Sequence, residues 1–272
     1  MNPHVNYKKF LELLPSLHDI CKVTGELQVK HHKTNIIFST KSNQTPVIEV
    51  DIQSSLIITN GLKSLTPDIP IVSEEDYDET LSYDYFWLVD PLDGTRDYIN
   101  NGDNFCVCIS LISNNLPILG IIYSPISKDF YYSFKNNGAY LLKESSEPKK
   151  IITQKMLKTN SNKIFTSSSI REKVLEVLAD SIVNHEFIKK SSALKFGNIA
   201  SGTGCFYPRL GPTHEWDTAA GQILVEEAGG IVVDKFMRPL RYNKNKIFLN
   251  KEFFVISDPD YDWGSIINAI FE

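Results

Sequence analysis

The stretch Asp90-Pro91-Leu92-Asp93-Gly94-Thr95 follows an apolar run at residues 85–89, and this order predicts a strand that ends in a turn rich in carboxylates. Pro91 fixes one backbone angle, and Gly94 lets the backbone approach a bound anion closely. If a helix begins at Thr95, its free amide groups favour a phosphate at that end. On its own the stretch is more often a simple turn, because Asp and Gly are common in turns of every kind.

Other carboxylates occur at the ends of neighbouring predicted elements. A second short strand at residues 69–73 leads into Glu74, and Asp217 opens a predicted helix. Taken separately, Glu74 would be an exposed acidic residue and Asp217 a helix cap. Like charges brought together resist ionisation unless a cation neutralises them. Because oxygen ligands without a partnered His or Cys suit Mg²⁺, we predict a magnesium pocket. Its ligands would be Glu74, Asp90, Asp93 and Asp217.

Composition and charge limit the classes of function. The chain has 272 residues, of which 42% are hydrophobic and 22% charged, as in an ordinary globular protein. A net charge of −5 argues against a nucleic-acid partner held mainly through its phosphates. No apolar run approaches the roughly 20 residues that span a bilayer, and the start lacks the apolar stretch of a secretory signal. We therefore expect a cytoplasmic protein with no transmembrane segment and no nucleic-acid partner.

The four cysteines are too sparse for a disulfide framework, and none of their spacings is the C-x-x-C of a zinc or redox site. Cys106 and Cys108 are two residues apart in a predicted strand, where alternate residues share one face. We interpret these two thiols as small apolar fillers of the core.

The first half of the sequence predicts an α+β arrangement. Apolar residues recur at helical spacing over residues 10–21, where Pro15 would kink or break a single helix. A second helix is predicted after Pro46, ending before Gly61. Three strands of an antiparallel sheet are predicted at residues 105–112, 118–123 and 130–134.

A polar, proline-containing stretch at residues 143–150 suggests a boundary between an N-terminal domain, 1–146, and a C-terminal domain, 147–272. Elements alternate in the second half, which is typical of an α/β arrangement. Strands are predicted at residues 164–167, 186–189, 231–234 and 253–257. Helices are predicted at residues 171–180, 216–228 and 260–270.

In order and spacing, the stretch at residues 90–95 together with Glu74-Glu75 and the Trp-Asp-Thr-Ala-Ala-Gly of residues 216–221 resembles the inositol monophosphatase superfamily. Residues 71–76, 87–95, 117–123 and 207–213 most resemble the CysQ-type 3'(2'),5'-bisphosphate nucleotidases. The resemblance implies a layered α/β/α/β/α sandwich of the α+β class. It also implies Mg²⁺-dependent, lithium-sensitive hydrolysis of the 3'-phosphate of adenosine 3',5'-bisphosphate, yielding AMP and phosphate.

The resemblance assigns roles to residues of this chain. Thr95 paired with Asp51 would orient and deprotonate a metal-bound water, with Glu74 as the third catalytic residue and no covalent intermediate. Two or three Mg²⁺ ions would be held by Glu74, Asp90, the Leu92 carbonyl, Asp93 and Asp217. The small-molecule nucleotide would be bound by Gly94, Thr95, Ser192, Lys195, Arg209 and Asp217.

Three positions depart from the CysQ-type pattern. Ser191 replaces a usual glycine, Ala193 replaces a serine, and Ile48 replaces a threonine one turn before Asp51. The first two lie in the predicted substrate loop, and the third removes a hydroxyl near a predicted catalytic carboxylate. None of the three is a predicted metal ligand.

Two rival functions remain open. An inositol monophosphatase or related sugar phosphatase would share the metals but recognise a polyol, and Lys195 and Arg209 would then be exposed solubilising charges. A non-catalytic nucleotide-binding regulator would not need the pair Thr95 and Asp51. The resemblance leaves open a monomer or a homodimer, and a cytoplasmic protein that is free or loosely attached to the inner face of a membrane.

Overall fold

The computed structural model describes residues 6–34, 38–40, 46–77, 83–156, 161–243 and 247–272. Within these residues there are seven helices: α1 Tyr7–His31, α2 Glu49–Leu65, α3 Thr95–Ile99, α4 Glu172–Ser181, α5 Leu194–Ala200, α6 Ala219–Glu227 and α7 Trp263–Phe271. The strands of the first half are β1 Phe38–Thr40, β2 Pro46–Ile48, β3 Ile71–Ser73, β4 Tyr85–Asp93, β5 Cys106–Ser113, β6 Leu116–Tyr123, β7 Phe130–Phe134, β8 Ala139–Leu142 and β9 Lys149–Ile151. The remaining strands are β10 Asn162–Thr166, β11 His185–Lys189, β12 Phe206–Arg209, β13 Thr213–His214, β14 Ile231–Val233, β15 Leu249–Asn250 and β16 Phe253–Ile256.

Seven strands form the first sheet, in sequence order from β3 to β9. Strands β3 and β4 are parallel, and every later neighbouring pair is antiparallel. Strand β5 shows that the sheet is covered on both faces. Its residues Val107, Ile109 and Leu111 pack with α1 and α2, whereas Cys106 and Cys108 belong to the core on the opposite face. Because both sets are buried, β5 is apolar without alternation.

A five-stranded sheet, in the order β11-β10-β12-β16-β14, forms the second β-layer. One face, represented by Tyr207 and Val255, packs in the same core as α5 and α6. The other face, represented by Phe206 and Phe254, packs with α4 and α7. The layers are therefore α1 with α2, the first sheet, α5 with α6, the second sheet, and α4 with α7. This is the predicted α/β/α/β/α order.

Two predictions about the helices were wrong. Helix α1 continues through Pro15, which lies on its exposed side, so the carbonyl of Leu11 that loses its N–H partner can bond water. Helix α2 continues through Gly61 to Leu65. A Cβ at Gly61 would lie 2.6 Å from Ile20 Cδ1, so the glycine lets α1 and α2 pack closely rather than ending the helix.

Further differences concern elements with a weak local sequence signal. Helix α5 and strand β12 were not predicted, although β12 lies between β10 and β16 in the second sheet. Pro208 within β12 masks the strand signal, and β12 pairs with β10 only at Phe206. Strand β9 joins the first sheet just after the predicted boundary at residue 146, and the division into two domains stays a prediction.

In the described part of the chain, no helix combines the length and apolar character that a membrane crossing requires.

Candidate active site

Asp90 and Asp93 are brought to one face of β4 by a bulge. In the ladder with β5, Asp90 pairs with Cys108 and Asp93 with Cys106, and the register shifts between the two pairs. Residues three apart on a regular strand point to opposite faces, whereas the extra residue of a bulge reverses that relation. Cys106 and Cys108 are two apart and share a face, so both carboxylates lie on that face as well.

Two further carboxylates reach the same place from other elements. The Glu74 backbone N–H donates to the carbonyl of Val89 at 3.1 Å, which extends the pairing of β3 with β4 and places Glu74 beside Asp90. Asp217 lies in the turn before α6, where its Oδ2 accepts the backbone N–H of His214 at 3.2 Å. The helix cap itself is Thr218, so Asp217 is not the capping residue.

The carboxylates of Glu74, Asp90 and Asp217 each place an oxygen within 4.8 Å of the others. Burial, followed by the charges of Glu74 and Asp93, raises the pKa of Asp90 well above its ordinary value. Burial and the same neighbouring charges raise the pKa of Asp217 in the same way. Since a cation removes this penalty and all three side chains offer oxygen, the donor set fits a hard divalent ion such as Mg²⁺.

Asp93 lies on the same face of β4 but has further partners from the predicted substrate loop. Its Oδ2 accepts the backbone N–H of Ala193 and lies 3.7 Å from Cys106 Sγ. Burial raises the pKa of Asp93, while the positive charges of Lys195 and Arg209 and the Ala193 N–H oppose that rise. The predicted substrate loop therefore contacts a predicted metal ligand through its backbone, so the change from serine to Ala193 leaves this bond intact.

The turn that follows Asp93 requires glycine. Gly94 has φ +97°, and a Cβ there would lie 2.7 Å from the carbonyl oxygen of Asn104. The next residue, Thr95, begins the predicted helix, here the five-residue α3, and its hydroxyl donates to the Leu92 carbonyl at 3.0 Å. A cavity of about 400 Å³ opens over this turn and is lined by Glu74, Asp90, Leu92, Asp93, Gly94, Thr95, Ser192, Lys195, Arg209 and Asp217 among others.

Two cations line the same cavity as the carboxylates. Lys195 is only 4% exposed, and its Nζ donates to the carbonyls of Ser192 at 2.7 Å and Lys190 at 3.1 Å. Burial lowers the pKa of Lys195 to about 8, against the charge of Asp93, which raises it. The Nε of Arg209 donates to Thr213 Oγ1 at 2.8 Å, which fixes the guanidinium at the cavity rim. Fixed positive donors beside carboxylates suit a substrate that carries phosphate.

Asp51 is buried in the first turn of α2 and is not among the residues that line the cavity. Its Oδ2 accepts the backbone N–H of Ile48 at 3.3 Å. This bond needs no side chain at position 48, so the replacement of threonine by Ile48 does not remove it. The Ile48 side chain instead packs against Leu92, within the small core behind the turn. The pairing of Asp51 with Thr95 stays a prediction.

Sequence reasoning missed residues that support or line the cavity. Gln28 of α1 is fully buried, and its Nε2 donates to the Pro91 carbonyl at 2.7 Å and to Ser54 Oγ at 3.1 Å. A glutamine inside the apolar stripe of a helix was the available signal. Besides the predicted site residues and Ser191 of the predicted substrate loop, the cavity is lined by Arg96, Asp97, Ser167, Ser168, Ser169, Lys190, Pro212, Thr213 and His214.

A larger cavity, of about 1040 Å³, is lined by the loop after β14 and by β15 with the two residues that follow it. Its acidic residues are already paired, Asp234 with Arg238 and Glu252 with Lys235. It has no converging set of carboxylates, so size alone does not make it the candidate site. The smaller cavity combines raised carboxyl pKa values with fixed cations, which is the combination expected of an active site.

Comparison with known proteins identifies relatives over most of the chain. A model of the inositol monophosphatase family matches residues 14–257. The 3'(2'),5'-bisphosphate nucleotidase CysQ of Aggregatibacter actinomycetemcomitans is 35% identical over 262 residues, which cover 94% of this chain and 97% of the relative.

Solved structures share the layered fold. CysQ from Bacteroides thetaiotaomicron, a bacterial member of the inositol monophosphatase family, has a TM-score of 0.75 at 26% identity, covering 92% of this chain and 99% of its own. An IMPase/NADP phosphatase complexed with Mg²⁺ and phosphate has a TM-score of 0.76 at 17% identity, covering 96% and 95%. The predicted sandwich and the predicted resemblance are both confirmed.

Proposed function

Because the chain belongs to the inositol monophosphatase family, we propose that it is a magnesium-dependent 3'(2'),5'-bisphosphate nucleotidase. It removes the 3'-phosphate of adenosine 3',5'-bisphosphate and releases AMP and phosphate. One observation carries the proposal: three converging carboxylates, those of Glu74, Asp90 and Asp217, share a cavity with the buried Lys195 and with Arg209. The first set suits a metal-dependent phosphatase, and the second suits a substrate with a further phosphate.

Enzymes of this family are metal dependent, and the residues that would hold two or three Mg²⁺ ions in this chain are Glu74, Asp90, the Leu92 carbonyl, Asp93 and Asp217. Bound magnesium would lower the pKa of the attacking water and neutralise charge on the phosphate and on the departing ribose oxygen. The raised carboxyl pKa values support this assignment, since the buried, neighbouring charges disfavour one another and a bound cation would neutralise them.

The protein's own groups position the reaction. Gly94 and the Thr95 amide meet the scissile phosphate at the start of α3. The Thr95 hydroxyl would orient the attacking water and the Asp51 carboxylate would take up its proton through that hydroxyl, with Glu74 as a further contact of the water. As the water oxygen bonds to phosphorus, the bond to the ribose 3'-oxygen breaks, and that oxygen takes up a proton. No Ser or Cys nucleophile takes part.

Substrate choice rests on the second phosphate. Nζ of Lys195 has three N–H groups, and two of them are engaged by the carbonyls of Ser192 and Lys190. The remaining N–H, together with the guanidinium of Arg209, binds the 5'-phosphate, while Ser192 and Asp217 contact the nucleotide. A polyol monophosphate has no group for these two cations.

A substrate panel tests the proposal. With Mg²⁺, the purified protein should release phosphate from adenosine 3',5'-bisphosphate at least about 100-fold faster, in kcat/KM, than from inositol 1-phosphate. Lys195→Ala and Arg209→Ala should reduce the first rate and leave the second nearly unchanged. Lys189→Ala, at an exposed neighbouring lysine, serves as the control. Preference for inositol 1-phosphate would make the protein an inositol monophosphatase, and tight binding without turnover would make it a regulator.

A further inference from the structure

Beside Asp93, two thiols lie close to the same carboxylate. The Sγ atoms of Cys106 and Cys108 are 3.8 Å apart, and Cys106 Sγ lies 3.7 Å from Asp93 Oδ2. The three ligand atoms all lie within 4.8 Å of one another. Both cysteines are free and fully buried.

These distances match one face of a zinc coordination tetrahedron. With a Zn–S bond of about 2.3 Å and a Zn–O bond of about 2.1 Å, tetrahedral angles place two sulfurs about 3.8 Å apart and a sulfur and an oxygen about 3.6 Å apart. The sulfur–sulfur separation of 3.8 Å and the Cys106 Sγ to Asp93 Oδ2 separation of 3.7 Å lie within about 0.2 Å of these values. The third separation, from Cys108 Sγ to the Asp93 carboxylate, is within 4.8 Å, so the three side chains are close enough to share one ion.

The backbone holds this arrangement in place. Cys106 and Cys108 are alternate residues of β5, which is paired on both sides, with β4 and with β6. The bulge in β4 sets Asp93 directly opposite Cys106. The Ala193 N–H bonds Asp93 Oδ2 from the other side, and a carboxylate oxygen with two lone pairs can accept that bond and bind a metal together.

We propose that Asp93, Cys106 and Cys108 form a second cation site, specific for a thiophilic divalent ion such as Zn²⁺ or Cd²⁺. Thiolates select soft ions, and Mg²⁺ binds them poorly, so this site differs in chemistry from the acidic cluster. Asp93 lines the cavity, and the ion enters from there with a water as its fourth ligand. On binding, the two thiol protons pass to solvent.

The second site shares Asp93 with the proposed magnesium centre. An ion held by the thiols draws Asp93 away from Mg²⁺, so occupancy inhibits turnover. This consequence rests on the proposed function, whereas binding of the ion itself does not. The two thiols, interpreted from sequence as apolar fillers, then make the enzyme sensitive to soft metals.

Titration of the purified protein with Cd²⁺ tests binding independently of activity. The ultraviolet charge-transfer band of thiolate-bound cadmium should rise to saturation at one ion per chain. Cys106→Ala/Cys108→Ala should abolish the band, and each single variant should weaken binding at least about tenfold. Cys21→Ala/Cys205→Ala, which removes two equally buried thiols elsewhere, should keep the band unchanged. An absent band in the natural protein, or an unchanged band in the Cys106/Cys108 variant, overturns the site.

A second measurement tests inhibition. Zn²⁺ added at saturating Mg²⁺ should inhibit the natural enzyme at concentrations at least about tenfold lower than it inhibits the Cys106→Ala/Cys108→Ala variant. Equal inhibition of both would show that zinc acts only at the acidic cluster, and the proposed coupling would be wrong. If the protein has no nucleotidase activity, the cadmium band still decides the binding site, so the two failures are distinguishable.

Discussion

Asp90 and Asp93 share one face of β4 although they are three residues apart, because the register with β5 shifts between them. The chain therefore uses a single strand to supply two carboxylates with different neighbours. Asp90 faces Glu74 and Asp217, and Asp93 faces the substrate loop at Ala193. One strand thus connects the acidic cluster to the loop that carries the predicted substrate contacts.

Asp90→Asn is expected to stabilise the metal-free protein and to abolish magnesium binding. Asparagine removes a buried charge that Glu74 and Asp217 disfavour, so the variant in EDTA should unfold at a higher temperature, by about 2 to 4 °C for each kcal/mol gained. Adding Mg²⁺ should raise the unfolding temperature of the natural protein but not of the variant. Thermal unfolding followed by circular dichroism measures both, with the exposed Asp68→Asn as control. A destabilised, magnesium-responsive variant would contradict the acidic cluster as a cation site.

The metal-free protein should lose stability as the pH rises from about 4 towards neutrality. Burial raises the folded-state pKa of Asp90 and Asp217 above the value of about 3.9 in an unfolded chain. Between those values the folded state binds more protons than the unfolded state, so the free energy of unfolding decreases with rising pH. Stabilisation by Mg²⁺ should grow over the same interval, because metal and proton compete. Urea unfolding at several pH values, with and without Mg²⁺, measures how the free energy of unfolding changes with pH. If Asp217→Asn left that pH dependence unchanged, the prediction would be contradicted.

Activity towards the bisphosphate should fall as the pH passes about 8, where the buried Lys195 loses its proton. In kcat/KM, this decline should be absent for adenosine 3'-monophosphate, which has no 5'-phosphate for Lys195 to bind. Lys195→Met should lower kcat/KM for the bisphosphate by about 10- to 100-fold, the value of a hydrogen bond to a charged group, and remove the decline. If both substrates show the same alkaline limb in the natural enzyme, another group is titrating.

Gly94→Ala should damage both stability and turnover. The left-handed conformation at Gly94 costs an alanine about 1 to 2 kcal/mol, and the added Cβ would collide with the Asn104 carbonyl. Gly211→Ala provides a matched control, since nothing lies within 4 Å of its Cβ position and its φ is not positive. Urea unfolding measures the stability of both variants, and steady-state kinetics measures their turnover. Equal behaviour of the two alanine variants would show that the turn tolerates a side chain.

Gln28→Met should weaken the support of the Pro91 carbonyl. Loss of a buried donor leaves that carbonyl and Ser54 without this partner, at a cost of about 1 to 3 kcal/mol in unfolding free energy. We expect the magnesium concentration for half-maximal activity to rise more than KM for the nucleotide. Gln53→Met, whose amide bonds Glu49 on the surface of α2, is the control. A changed KM with unchanged magnesium dependence would place the effect elsewhere.

Local patterns in the sequence predicted that Glu74, Asp90 and Asp217 converge, as they do, whereas the roles of the site residues stay predictions. Each carboxylate follows or precedes an apolar run, and strands that end together bring such residues together, as Glu74 and Asp90 show. The bulge could not be predicted, because its register is set by pairing with β5 rather than by residues 90–93 themselves. The same limit explains Gln28, whose partner Pro91 is 63 residues away in sequence.

Tertiary packing also overrode local signals in the helices. Proline and glycine often end helices, yet α1 continues through Pro15 and α2 continues through Gly61. Each of these helices is held by a long apolar face that packs against the first sheet. Helix α5 is too short for a periodic signal and forms where Phe196 and Ile199 enter the shared core. The layer order was predictable only through the resemblance, since no local pattern records which sheet face a distant helix covers.

Helix α6 covers the inner face of β5 and β6, although it lies about a hundred residues later in the chain. During synthesis the first sheet therefore emerges from the ribosome well before its cover exists, and a broad apolar surface stays exposed to solvent in the meantime. The newborn polypeptide should be a client for chaperones that shield such surfaces, and a premature stop before residue 219 should produce an aggregating fragment rather than a smaller working enzyme.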